Sequence, residues 1–141
     1  MTRLESRKVV DSWALVGWVR EEGCAPQVRQ FLFDAEAQRV ELVMSMINVG
    51  EAFYTIAKRN SLADAERFLV RMWSLPIRII SPTQDDIMAA ARIKASHAIA
   101  FGDAFAIALA KSEEASVITG DEEIRRCGLV KVDWVGAGRK S

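Results

Sequence analysis

Two kinds of hydrophobic spacing alternate along the chain. Short runs rich in β-branched residues, at positions 8–10, 40–46, 77–80, 116–119 and 130–134, read as five strands. The stretches between them carry apolar residues at helical spacing. Residues 13–20 form a short helix ending near Gly23, and Pro26 starts a second helix with Val28, Phe31, Leu32 and Ala35 on one face. A third presents Val49, Ala52, Phe53, Ile56 and Ala57 as one stripe, and Asn60-Ser61 separates it from a fourth over 63–75. Thr83 with Asp86 makes a capping box for a helix running to His97. Gly102-Asp103 opens an almost wholly apolar helix to Lys111, and residues 121–126 give a last short one. Strands alternating with helices predict an α/β fold, a parallel sheet with helices on both faces. One domain over 1–135 accommodates the pattern, with 136–141 as a C-terminal tail.

Composition narrows the picture. With 141 residues, half of them apolar, the chain can bury roughly two-thirds of its unfolded surface. The formal charge is zero, which excludes binding nucleic acid through a global basic field. Cys24 and Cys127 stand far apart without a metal-ligand pattern, as in a reduced cytoplasmic protein. The N-terminus has no apolar secretory core, and the most apolar run, 98–110, contains Asp103 and is too short to span a bilayer. No membrane association is expected. The single histidine, His97, reads as a satisfied or solvated residue at a helix end. Trp13, Trp18, Trp73 and Trp134 read as core or subunit contacts, and Trp13 and Trp18 could also edge a partner-binding groove.

The candidate chemistry lies in four carboxylates at junctions between elements. Asp11 directly follows the first strand, where no structural need demands an acid. Glu51 lies off the apolar stripe of its helix, with Asn48, Tyr54, Thr55 and Lys58. Either a site role or a solvated acid complementing the dipole of the first helical turn explains it. Asp103 sits in an apolar helix, where a carboxylate must cap, pair or bind metal. Asp121 follows a strand and Gly120, as an N-cap or a site residue, while Glu122 and Glu123 beside it read as surface charges. Residues that follow strands of a parallel sheet collect at one rim. Four acids there demand a cation or raised pKa values, and oxygen-only ligands favour Mg²⁺ or Mn²⁺. Among phosphate or hydrolase motifs, the chain has no Walker loop, GxGxxG, GxSxG or HExxH.

Val9-Val10-Asp11-Ser12, Ser45-Met46-Ile47-Asn48-Val49-Gly50-Glu51, the run Phe101-Gly102-Asp103 through Ala110, and Val117-Ile118-Thr119-Gly120-Asp121, in this order, resemble the PIN-domain family and its VapC-type toxins. The resemblance implies a three-layer α/β/α sandwich with strand order 3-2-1-4-5. It implies a Mg²⁺- or Mn²⁺-dependent endoribonuclease, with one or two ions held by Asp11, Glu51, Asp103 and Asp121. These cut RNA with a metal-activated water, as the toxin half of a toxin–antitoxin pair. Ser12, Ser45, Asn48 and Thr119 stand where they could support the ligands, and Arg92, Lys94, Arg125 and Arg126 where they could hold the RNA backbone. The resemblance also implies a homodimer and a cognate antitoxin covering the cleft. It departs at Ile124, where the family usually has an aromatic. A non-catalytic PIN-like binding module remains the alternative. A phosphatase-like Asp enzyme is a weaker one, because Trp13 stands where its second acid belongs.

Overall fold

A computed structural model describes residues 6–136. Five strands, β1 (Arg7–Val10), β2 (Glu41–Ser45), β3 (Ile77–Ile80), β4 (Ser116–Thr119) and β5 (Val132–Trp134), form one sheet in the order β3-β2-β1-β4-β5. Each of its pairings is parallel, with Val9 opposite Val43 on one side and Val117 on the other. The predicted α/β class and strand order are therefore those of the molecule.

Strand alternation divides the core. Val10, Leu42, Met44 and Ile118 point to one face of the sheet. They meet α1 (Ser12–Val19), α2 (Ala25–Glu36), α3 (Met46–Arg59) and α4 (Leu62–Met72). Val9, Val43 and Val117 point to the other face, where α5 (Gln84–Ser96), α6 (Phe101–Glu113) and α7 (Glu122–Cys127) complete the third layer. The small residues Ala104, Ala106 and Ala110 let α6 lie close to the strands, which explains its apolar surroundings on nearly every side.

Several boundaries differ from expectation for local reasons. β2 stops at Ser45 because the Ser45 hydroxyl accepts a hydrogen bond from the Ile47 amide (3.2 Å) and Met46 already begins α3. No loop separates strand from helix, so Glu51 sits in the second turn of α3 and not the first. α4 starts at the Ser61 cap and ends at Met72, short of the predicted Leu75, whose position before Pro76 disfavours helix. The Thr83–Asp86 capping box forms as the sequence predicts. β5 begins two residues later than expected, at Val132. Of the predicted tail, only Gly136 belongs to the described residues. No single described helix is long and apolar enough to cross a membrane.

The chain runs outward from β1 through β2 to β3, then returns to β4 on the other side of β1. The carboxyl ends of β1 and β4 thus flank the point where strand order reverses, and a crevice forms there.

Candidate active site

Asp11 stands at that crevice. Its amide continues the sheet by donating to the Ile118 carbonyl (3.2 Å), and its carbonyl accepts the first bonds of α1. It is the N-cap of α1 by position, yet its side chain makes no capping bond. The carboxylate turns inward instead and is only 1 % exposed. Oδ2 accepts a hydrogen bond from the Thr119 hydroxyl at 2.7 Å, whereas Oδ1 has no protein partner. Thr119, at the end of β4, also accepts from the Asp121 amide (3.0 Å), so one hydroxyl fixes the spacing between two acids.

Asp103 settles the choice left open by its sequence. α6 begins at Phe101 with Ala100 as N-cap, and Asp103 lies inside the first turn without capping it. It is 6 % exposed and its Oδ2 is unpartnered. Asp121 does cap its helix, with Oδ1 accepting from the Glu123 amide at 2.8 Å. Capping and clustering coexist here. One carboxylate oxygen from each of Asp11, Asp103 and Asp121 lies within 4.8 Å of the others.

Glu51 stands beside this trio and lines the same cleft, of about 240 Å³. Its Oε1 accepts from Ser12 Oγ (3.1 Å) and from Asn48 Nδ2 (2.9 Å). The same Asn48 amide nitrogen donates to the Gly102 carbonyl at 3.0 Å, tying α3 to α6. A Cβ at residue 102 would occupy the space of the Glu51 carboxylate. Gly102 thus leaves the room in which the Glu51 carboxylate stands, and a larger residue would displace that carboxylate. The supporting residues proposed from sequence divide accordingly. Ser12, Asn48 and Thr119 touch the acids, while Ser45 spends its hydroxyl on the α3 cap.

Crowding shows in the protonation equilibria. Burial pushes the Asp11 carboxyl up to about 7, opposed by the Thr119 hydrogen bond and reinforced by the charges of Asp121 and Glu51. Burial likewise raises Asp103, as do the charges of Asp11 and Asp121 and a hydrogen bond to Glu123. Two buried carboxyls, each with an orphaned oxygen, cluster with Asp121 beside the cleft that Asp103 and Asp121 line. Orphaned buried acceptors are rare because they cost free energy, and a hard divalent cation would satisfy both at once. The residues present fit such an ion.

The chain matches the PIN domain family model over residues 8–129. It belongs to the PIN domain family. No curated protein sequence matches it, so the likeness to individual PIN proteins is one of shape. The structure of VapC20 from Mycobacterium tuberculosis, a toxin described as cleaving the sarcin–ricin loop, superposes with a TM-score of 0.74 at 15% identity, over 89% of this chain and 98% of that one. VapBC2 from Rickettsia felis, solved on a promoter DNA fragment, gives 0.70 at 15% identity, over 90% and 97%. FitAcB from Neisseria gonorrhoeae gives 0.66 at 19% identity, over 89% and 95%.

Within this PIN fold, sequence reasoning missed two residues. Glu123, read as a surface charge, lines the cleft with Asp103 and contributes to raising its carboxyl. Its place two residues after Asp121, in the first turn of a helix opening at the rim, was the available signal. Arg59 also lines the cleft, eight residues after Glu51 on the same face of α3. None of the four cations considered for RNA contact lines it. Lys94 Nζ donates to the Ile99 carbonyl at 2.8 Å. Arg125 pairs with Glu122 and stacks on Trp134, 3.8 Å from the ring centre. Arg92 is exposed on α5, and Arg126 borders an adjoining hollow that shares Glu123 with the cleft. His97 Nδ1 donates to the Ile93 carbonyl (3.0 Å), as a satisfied histidine would.

Proposed function

We propose that this PIN-domain chain is a metal-dependent endoribonuclease, the toxin half of a toxin–antitoxin pair. The observation that carries the reading is the pair of buried carboxyls, Asp11 and Asp103, each with an unpartnered oxygen, gathered with Asp121 into one cluster beside a cleft that Asp103, Asp121 and Glu51 line. The shapes of the VapC20, VapBC2 and FitAcB structures support it, since VapC20 is described as an RNA-cleaving toxin.

Asp11, Glu51, Asp103 and Asp121 would hold Mg²⁺ or Mn²⁺, one ion or two. When bound, such an ion supplies Lewis acidity at the scissile phosphate and makes water acidic enough to ionise near neutrality. The chain's residues do the rest. Thr119 holds Asp11 by Oδ2 and leaves Oδ1 without a protein partner, and Ser12 with Asn48 fixes Glu51 so that its second oxygen stays available. Asp121 is anchored by its own helix amide. Glu123, exposed and in contact with Asp103, is placed to pass the attacking water's proton from the cleft to bulk solvent. A homodimer with a cognate antitoxin over the cleft completes the reading, and a basic antitoxin side chain would neutralise the acids.

Purified protein, stripped of any partner and given total RNA, should cut in Mg²⁺ or Mn²⁺ and stop with EDTA. Asp103→Asn should remove cutting while leaving the circular dichroism spectrum unchanged. A variant that cuts like the wild type would remove Asp103 from the site and the reading with it.

A further inference from the structure

Glu51, Thr55 and Arg59 follow one another at four-residue intervals on α3, each about 40° around the helix from the last. All three line the acidic cleft, with Arg59 about 12 Å along the helix axis from Glu51. The Glu51 carboxylate is already engaged, but the Thr55 hydroxyl and the Arg59 guanidinium have no hydrogen-bond or ion-pair partner among the described residues. Neighbouring cations are committed. Arg20 pairs with Glu22, the other acid on this wall, and donates to Asn60 Oδ1 (2.8 Å), while Lys58 lies over the Tyr54 ring. Because Arg20 neutralises Glu22, Arg59 is left as the one uncompensated cation lining the cleft among the described residues.

We propose that Thr55 and Arg59 form a phosphodiester-binding subsite, holding a backbone phosphate of the RNA strand beside the one brought to the acids. The proposal rests on the nuclease reading for its choice of strand. A chain without net charge has no field to draw a polyanion toward carboxylates, so a fixed cation next to them must supply the attraction. A guanidinium fork matches two phosphate oxygens, and a hydroxyl one turn earlier supplies another donor on the same side. Their distance from the acids lets a flanking phosphate be anchored outside the repulsion of the cluster.

The test is salt-dependent binding of a fluorescein-labelled, unstructured RNA, read by anisotropy in Mg²⁺ in an Asp11→Asn background that blocks cutting. Adding Arg59→Ala should weaken binding roughly five- to tenfold and reduce the slope of log affinity against log salt by about 0.7, the loss of one phosphate contact. Arg59→Lys should keep the slope and lose part of the affinity. Thr55→Val should weaken binding about two- to threefold at unchanged slope. Arg67→Ala, which removes the same charge from α4, should change neither. An unaltered slope in Arg59→Ala, or an equal drop in Arg67→Ala, overturns the subsite. Wild-type protein that fails to cut RNA in Mn²⁺ would sink the nuclease reading separately, with the slope still deciding the subsite.

Discussion

The Asp11→Asn substitution should destroy function and stabilise the metal-free fold, and both effects follow from the same burial. In the folded chain the Asp11 carboxyl is pushed up to about 7 from an ordinary value of 3.8, a displacement of about three units. The native state therefore keeps a proton that the unfolded chain releases between those values. Stability from this group is complete below about pH 4 and is lost as pH rises through about 7. At about 1.4 kcal/mol per unit, holding the ionised form at pH 8 costs up to roughly 4 kcal/mol. Asparagine cannot ionise, but its amide accepts the Thr119 bond less strongly, which leaves a net gain on the order of 2 kcal/mol. For a domain of this size the melting temperature should rise by roughly 6 °C at pH 8 in EDTA. At pH 5, where the wild-type carboxyl is already protonated, the two proteins should melt almost together. Mn²⁺ at about a hundred times its Kd should then stabilise the wild type by about 2.7 kcal/mol and leave the variant unmoved. Scanning calorimetry at both pH values, with and without metal, makes the comparison. A variant that melts below the wild type at pH 8 in EDTA would refute the claim that an unpaired buried charge sits there.

Other residues give independent checks. Gly102→Ala should drive the Glu51 carboxylate from its bonds with Ser12 and Asn48, lowering Mn²⁺ affinity about tenfold by titration calorimetry while the fold survives. Thr119→Val removes the hydrogen bond that partly offsets the burial of Asp11. It should cost about 1–3 kcal/mol and move the alkaline rise of cleavage to still higher pH, followed in a pH–rate profile. Wild-type Mn²⁺ affinity should itself climb between about pH 6 and 8 as the carboxyls surrender their protons, with protons released on binding. An affinity flat over that range would contradict raised pKa values in the site.

The hydrophobic periodicities alone determined the element order and the α/β class, because burial on both sheet faces leaves its mark directly in the residue pattern. Asp11 and Asp103 were also legible. An acid after an interior strand and an acid inside an apolar helix are costly wherever the chain goes, so each announced itself without a neighbour in view. What the sequence left open was the direction in which each side chain is used. Asp11 and Asp121 occupy equivalent N-cap positions, yet only Asp121 caps, since Thr119 draws the Asp11 carboxylate inward. Only the tertiary structure decided that Gly102 leaves room for Glu51, and that Arg59 rather than Arg92, Lys94, Arg125 or Arg126 lines the cleft. The physical reason is range. Burial preference is a property of single residues repeated along the chain, whereas these contacts form between α3, α6, β1 and β4, whose segments meet only when the strand order reverses around β1.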